Sequence, residues 1–507
     1  MVKICLQNAN SLEPAAILAS DNLGWKVVQQ EKNADILIHS QSTVNALVSS
    51  ISTIKRTQKV SKIPGSAETS KKHVLASLFV RAQALMTDDL NPISKFWPEC
   101  YILPNDLEEV SRILTENKSR SKRKQTRTLI YKPSTGSQGE GITLMQDPSA
   151  LQAIHSTRPK QISIVQKYIP NPLLLQNNIK FDMRIYVLVS SIQPLKIHLC
   201  KEGLVRFATS EYSKPTKKNL MNTMAHLTNY SLNKRSKEFE HNDDEDHNPH
   251  LESGSKRTLT SLLQTLEKTM EDFDSDRLWE DLKEISYGTM KTMSSNFKTS
   301  VLSSEGSHKS NLLDSGCFQI FGLDVLLDSS YGCYLLEVNA NPSMRLDHEV
   351  NEGGYIPSIV DEYIKGKVMT EALKIIAGET SNDYIEVDVA SSYDCLEVMD
   401  LVIQEYERVF GGKGGEEYKN RLTNSIFRKL VRTYSENVDA NYKKIEGHRI
   451  DLAYQRWNMD RARKKGDEYY VFSDLWDFFD ALLVIGREIL DVGAGNSDCD
   501  LIEMLIS

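Results

Sequence analysis

The sequence has no two cysteines at CxxC spacing and no apolar run near the roughly 18 residues that a membrane-spanning helix needs. Its seven cysteines, Cys5, Cys100, Cys200, Cys317, Cys333, Cys395 and Cys499, are scattered and odd in number. That argues against both a disulfide framework and structural zinc, and reduced thiols are expected. The opening stretch MVKICLQNANSLEP lacks the apolar core of a signal peptide, so an intracellular protein is expected. What is present is ordinary for a globular chain: 40% apolar and 26% charged residues over 507 positions, long enough for about three domains. The net charge of -8 is unevenly spread, because residues 412–465 carry 14 Lys and Arg against 7 Asp and Glu. Tyr418, Phe427, Tyr434, Tyr442 and Trp457 are interleaved with those cations. A basic stretch on an acidic protein points to a polyanionic partner, whether nucleic acid, anionic lipid or an acidic protein tail.

The most informative stretch is residues 317–344, CFQIFGLDVLLDSSYGCYLLEVNANPSM. Two strand-like runs, FGLDVLL and CYLLEVN, flank the turn-rich Ser329-Ser330-Tyr331-Gly332, which predicts a hairpin. A symmetric turn pairs Asp324 with Glu337, Leu326 with Leu335 and Asp328 with Cys333, and it puts Asn339 on the face of Glu337. Two carboxylates directly opposite repel each other unless a cation lies between them. The all-oxygen set Asp324, Glu337 and Asn339 suits Mg2+, with phosphate or water filling the other positions. The alternative is a solvated hairpin face.

Along the chain, VKICL, WKVVQQ and ADILIHS read as strands around one helix, a small α/β domain over residues 1–70 with a break at Pro64-Gly65. A helix is predicted from Lys71 to Leu85 with Leu75, Leu78, Val80 and Leu85 on its apolar side, followed by an extended stretch from Phe96 to Pro104. The basic run at 118–127 is either a solvated loop or a patch for an acidic partner. In TLIYKPSTGSQGEGITLM, Gly136, Gly139 and Gly141 let backbone N–H groups approach a phosphate chain, and Lys132 supplies a positive charge. The loop fits neither GxxxxGK[ST] nor GxGxxG. In KFDMRIYVLVSS, Lys180, Asp182 and Arg184 share one strand face while Phe181, Met183 and Ile185 share the other; charges placed so call for a charged ligand. Asn229, Tyr230 and Ser231 in HLTNYSLNK either orient a polar substrate or form a capped turn, and His226 reads as structural. Residues 236–255 are acidic and are expected to form a mobile insertion. A helical pair follows, then the hairpin, then a helix closing at Gly378. SNDYIEVDVASSYD reads as a linker to an all-helical domain over 390–507, whose core is DLWDFFDALLVIGREIL.

Together, YKPSTGSQGEGI, VQKYI, KFDMRIYVLV, HLTNYSLNK and LEVNANPSM resemble the tubulin tyrosine ligase-like family of ATP-grasp enzymes, with the polyglutamylase branch nearest. The resemblance covers residues 20–375. It implies an α/β (α+β) ATP-grasp fold, with a central domain over 71–190 and a C-terminal ATP-grasp domain over 191–380. It implies ATP- and Mg2+-dependent ligation of free L-glutamate to glutamate side chains or growing chains on tubulin, by way of an acyl-phosphate. Lys132, Gln138, Gly139, Gln166, Lys167, Tyr168, Ile169, Lys180, Phe181, Asp182, Thr228 and Asn229 would hold ATP. Asp324, Glu337 and Asn339 would hold Mg2+, with Arg184, Asp324 and Glu337 catalytic. Arg206, Tyr230, Ser231 and Lys256 would form the glutamate pocket. The implied setting is the cytoplasm and cytoskeleton, including cilium or basal body, with a monomer acting on tubulin tails and neither nucleic acid nor membrane as partner. Gln138 points to chain elongation, while Ala340, directly after Asn339, departs from the His or Ile of similar polyglutamylases and leaves initiation open. The competing readings are a tubulin glycylase of the same fold and a non-catalytic microtubule-binding protein.

Overall fold

The computed structural model describes residues 1–40, 55–86, 91–119, 126–136, 139–159, 161–175, 177–234, 236–240, 248–302, 311–349, 354–389 and 474–489, with isolated positions between 390 and 507. The chain begins with a parallel four-stranded sheet made of β1 (Lys3–Asn8), β2 (Lys26–Val28), β3 (Ile36–His39) and β4 (Lys59–Val60), in the order β2-β1-β3-β4. Helix α1 (Glu13–Leu23) makes the first crossover and ends at Gly24 in the left-handed region. This matches the α/β module expected for the first domain.

Helix α2 (Lys72–Leu85) follows, but its buried side is Leu75, Leu78, Phe79, Ala82 and Leu85, while Val80 is 48% exposed. The expectation for Val80 was wrong for a geometric reason: 75, 78, 79 and 82 repeat at helical spacing, and 80 lies a third of a turn off that stripe. The extended stretch predicted from Phe96 also needs correcting, because Ile93–Phe96 is a short helix and the strand begins only at Cys100.

An antiparallel four-stranded sheet comes next, β5 (Cys100–Leu103), β6 (Leu129–Pro133), β7 (Thr143–Met145) and β8 (Ser163–Lys167), ordered β5-β8-β6-β7. Helices α3 (Leu107–Ser119) and α4 (Pro148–Thr157) cover its outer face around Val110, Leu114, Leu129, Tyr131, Leu151 and Val165. The third sheet is the largest. Short β9 (Leu174–Leu175) leads into two long strands, β10 (Ile179–Ile192) and β11 (Leu195–Phe207), and β12 (Lys256–Thr258) joins β11 at the edge. Helices α5 (Leu259–Thr269) and α6 (Ser275–Leu302) then pack on its back, before β13 (Gln319–Leu327) and β14 (Cys333–Asn339) complete the order β12-β11-β10-β13-β14. A domain boundary at 190 therefore cuts through β10; the change of sheet lies between Lys167 and Leu174.

β10 is buried on both faces. Met183, Ile185, Val187 and Val189 join the main core with α6, and Tyr186 and Leu188 pack toward the first sheet. After a small hairpin of β15 (Asp347–Glu349) and β16 (Tyr355–Pro357), α7 (Ile359–Ala377) is capped by Ser358 and by Gly378 at φ 89. The segment expected as a linker contains β17 (Tyr384–Glu386), which adds to β11, with Tyr384 buried and its hydroxyl donating to Val368 O at 3.2 Å. Three residues are too short to show an alternation pattern. The base of the acidic insertion is closed by Glu240 N to Ser255 Oγ and Ser255 N to Glu240 O, both 3.0 Å; residues 241–247 lie outside the described residues. In the predicted C-terminal domain, α8 (Asp474–Val484) buries Phe479, Ala481 and Leu482 in the main core, and its Asp480 meets Arg81 of α2 at 3.0 Å. Apart from Val431, the basic stretch 412–465 lies outside the described residues.

Candidate active site

The two antiparallel sheets face each other across a cleft that opens to solvent, with about 660 Å³ of empty space counting its open mouth. The smaller sheet contributes Ile130, Lys132, Gln166 and Lys167; the larger contributes Lys180, Asp182, Arg206, Asp324, Leu336 and Glu337. The segment 226–229 closes one side with His226, Leu227, Thr228 and Asn229. The glycine loop meets that segment at Gly139. Gly139 has φ 80, and a Cβ there would lie 2.7 Å from Leu232 Cδ1 and 3.1 Å from Asn229 Oδ1, so only glycine permits the approach.

Strand register assembles the charged face. Asp182 lies opposite Arg206 on β10 and β11, and Arg184 lies opposite Asp324 on β10 and β13. The row continues outward, Arg206 facing Lys256 and Asp324 facing Glu337. Since Asp182 and Arg184 share a face, two arginines and two aspartates meet in one buried cluster. Arg206 Nε donates to Asp182 Oδ1 at 2.9 Å and its Nη2 reaches Asp324 Oδ2 at 2.8 Å, while Arg184 Nη2 donates to Asp324 Oδ2 at 3.0 Å. Gly322 makes room for Arg184, whose Cδ would be 2.8 Å from any Cβ there. Burial alone would raise the Asp324 carboxyl, but Arg184 and Arg206 outweigh it and hold Asp324 well below the usual carboxylate range. Asp182 goes the other way, because burial prevails over its pairing with Arg206.

The hairpin pairs Asp324 with Glu337 as expected, but the rest of its register differs: Leu326 faces Tyr334 and Leu327 faces Cys333. The cations beside the two carboxylates are side chains. Asp324 has its two arginines, and Glu337 has Lys72 of α2 at 3.5 Å, with Asn339 Nδ2 at 3.4 Å. Among the described residues no three His, Cys, Asp or Glu side chains cluster as a metal site. The oxygen set is two carboxylates and one amide carbonyl, which fits a Mg2+ ion whose other ligands are substrate phosphate oxygens and water.

The two buried lysines of the cleft, Lys132 and Lys180, have no carboxylate hydrogen-bond partner among the described residues. Lys132 Nζ donates to Gln166 Oε1 at 2.9 Å and to Leu336 O at 3.3 Å; Lys180 Nζ donates to His226 O at 2.7 Å and Tyr168 OH at 3.2 Å. These acceptors are neutral. Burial therefore dominates, lowering Lys132 to about 8 and Lys180 to about 7. Two desolvated ammonium groups aimed into one cleft call for an anionic ligand.

The family model for the tubulin-tyrosine ligase family matches residues 51–374. The chain belongs to that family. It is 35% identical over 352 residues to tubulin polyglutamylase TTLL11 of Homo sapiens, covering 67% of this chain and 46% of the relative. It is 33% identical over 354 residues to tubulin polyglutamylase ttll-11 of Caenorhabditis elegans (68% and 47% covered) and 31% identical over 391 residues to tubulin polyglutamylase ttll6 of Danio rerio (73% and 46% covered). The chain thus spans about half the length of the curated relatives it matches. The mixed α/β architecture agrees with the ATP-grasp reading.

Within this family member, the cleft brings together Lys132, Gln166, Lys167, Tyr168, Ile169, Lys180, Asp182, Arg206, Thr228, Asn229, Asp324 and Glu337. Arg184 stands behind Asp324, and Gly139 stands against Asn229. Phe181 turns away into the core beside Phe207. Lys256 is bonded to Asp361 at 2.6 Å, and Asp361 also meets Lys365 at 2.7 Å. Gln138 lies outside the described residues, as do the side chains of Tyr230 and Ser231. Ala340 is buried and its carbonyl accepts from Gln319 Nε2. Sequence reasoning missed Lys72, which the Lys71-Lys72 pair at a helix start does not reveal; His226, read as structural, also lines the cleft. That ring joins Tyr168 OH at 3.2 Å to Asn219 O at 3.1 Å, and its backbone carbonyl holds Lys180.

Proposed function

We propose that this chain is an ATP- and Mg2+-dependent ligase that joins free L-glutamate to glutamate side chains or glutamate chains on tubulin tails. The observation that carries the reading is the charge balance of the cleft. The Asp182, Arg206, Asp324 and Arg184 cluster sums to zero, Glu337 with Lys72 sums to zero, and the three lining lysines Lys132, Lys167 and Lys180 leave up to three positive charges. MgATP, with a net charge of about -2, complements that excess. The ligase identity is supported by relatives named tubulin polyglutamylases.

In the chemistry proposed, a carboxylate oxygen of the acceptor attacks the γ-phosphorus, the bond to the β–γ bridging oxygen breaks, and ADP leaves with that electron pair. The glutamate amine then attacks the acyl carbon, phosphate departs, and the amine proton passes to solvent. Lys132 and Lys180 hold the phosphates and offset charge gathering on the transferred group. Asp324, Glu337 and Asn339 would hold Mg2+, which neutralises phosphate oxygens when bound. Ile130, Ile142, Tyr168, Leu227 and Leu326 supply an apolar end for the adenine, next to the Gln166–Ile169 hinge. Arg206 and Lys256 would serve the glutamate end only by sharing their present partners, Asp182 and Asp324 for Arg206 and Asp361 for Lys256, and Gln138 would favour elongation over initiation. Work on microtubules, including those of a cilium or basal body, follows from that substrate. The described residues contain no helix long and apolar enough to cross a membrane.

The test is purified protein with tubulin, MgATP and either glutamate or glycine, read by mass spectrometry of the tails. A ladder of glutamate-sized increments is expected. Glycine increments, or no increment, would overturn the reading.

A further inference from the structure

A second cleft, open to solvent and with about 820 Å³ of empty space counting its mouth, shares Leu336 and Glu337 with the nucleotide cleft and also borders Asn339. Its cationic wall is the start of α2. Lys72 meets Glu337 at 3.5 Å, and Lys71, 42% exposed, meets Glu68 at 2.6 Å. Buried Lys62 stands behind Asn341 of the same cleft and donates to its Oδ1. Two buried polar atoms of lining residues, Trp97 Nε1 and Ser70 Oγ, have no hydrogen-bond partner among the described residues. Trp97 is held by ring contact with Phe79 at 4.5 Å between centroids. An indole N–H can only donate, and leaving it unsatisfied costs about 1–3 kcal/mol. Lys71, the more exposed of the two ammonium groups at the start of α2, is held by Glu68 alone among the described residues and can exchange that partner for an incoming carboxylate.

Resting on the ligase reading above, we propose that this second cleft seats the side-chain carboxylate of the acceptor glutamate and that Ser70, Lys71 and Trp97 are its specificity residues. Position supports this, since the cleft adjoins Glu337 and Asn339, where the phosphoryl group would be transferred.

The test uses the full chain, a synthetic glutamate-rich peptide, and the variants Lys71→Ala, Ser70→Ala and Trp97→Phe, the last of which keeps the packing on Phe79. Thermal unfolding checks that each variant folds. KM for the peptide is expected to rise about five-fold or more, with KM for ATP and for free glutamate within about two-fold of the parent. An unchanged peptide KM, or a rise confined to free glutamate, would overturn the assignment. Fluorescence anisotropy of the labelled peptide, which needs no turnover, keeps the two readings apart. Should the parent bind the peptide without ligating glutamate, the ligase reading fails while weaker binding by the variants still supports the cleft. Equal binding by parent and variants would reject the cleft.

Discussion

Replacing Lys180 with methionine should make the empty protein more stable and nearly abolish nucleotide binding. Burial lowers Lys180 to about 7, with Asp182 opposing the shift and Lys132 adding to it. An unfolded chain titrates its lysines near 10.4, and each unit is worth about 1.4 kcal/mol, so a shift of roughly three units makes charged Lys180 a burden of about 4 kcal/mol. The folded value lies below the unfolded one. Between about pH 7 and 10 the unfolded chain therefore holds more protons, and the empty protein gains stability as pH rises through that window. Methionine keeps an unbranched chain one atom shorter and removes the charge, but it leaves Tyr168 OH and His226 O without their donor. At about 1 kcal/mol for each lost hydrogen bond, the net gain at pH 7 should be about 1–3 kcal/mol. The assay is urea unfolding at pH 7 and pH 9, with and without MgATP, beside calorimetric titration of nucleotide. The variant should unfold later than the parent at pH 7, show a weaker pH dependence, and bind nucleotide about 100-fold less tightly. A variant that is less stable at pH 7 and binds ATP as before would refute the claim that this ammonium is held for a polyanion.

Nucleotide binding by the parent should take up about one to two protons at pH 9 and fewer at pH 6.5, as Lys132 and Lys180 recharge beside the phosphates; titrations in buffers of different ionisation enthalpy measure this. Glu337→Gln should abolish ligation with little change in thermal unfolding, because the side chain keeps its size while a negative metal ligand is lost; normal turnover would remove Glu337 from the site. Arg206→Ala should destabilise by about 3–5 kcal/mol, since it strips Asp182 and one side of Asp324, whereas Lys256→Ala leaves Asp361 with Lys365 and should cost about half as much or less; urea unfolding of the pair decides. Reversing Arg428, Lys429 and Arg432 to Glu should weaken salt-dependent binding to microtubules while sparing activity on a short acidic peptide; unchanged microtubule modification would assign that stretch another partner.

Much of the site was legible because β10 alternates so cleanly. Lys180, Asp182 and Arg184 on one face, with Phe181, Met183 and Ile185 on the other, follow from period two alone, and the structure keeps both sets apart. The glycine loop and the hairpin were legible for the same reason, a local pattern read within one element. The partners of those charges were not. Asp182 meets Arg206 only through the β10–β11 register, and Glu337 meets Lys72 only because a helix from another part of the chain comes down beside β14. Trp97 gives no signal at all, since an apolar residue in an apolar segment predicts burial and says nothing about an unused N–H. Ion pairs across 24 or more residues depend on tertiary register, which one sequence does not display.

The Asp324–Glu337 pair shows how a correct contact can follow from an incorrect register. A turn centred between Ser330 and Tyr331 predicts it, yet the loop is centred on Ser330. Asp328 N donates to Gly332 O at 2.9 Å, and the Asp328 carboxylate accepts from Ser330 N at 2.8 Å and Gly332 N at 2.9 Å. Asp328 is thus a turn residue, as an aspartate ahead of Ser-Ser and Gly can be. That moves every pair near the turn by one position, and a bulge at Leu336 restores the count just before Glu337. The bulge does more than correct the register. Its carbonyl accepts from Lys132 Nζ at 3.3 Å, so the smaller sheet is tied to the larger one at the cleft through a backbone oxygen. Any residue could supply that oxygen, which is why no side-chain motif in LEVNANPSM reports it.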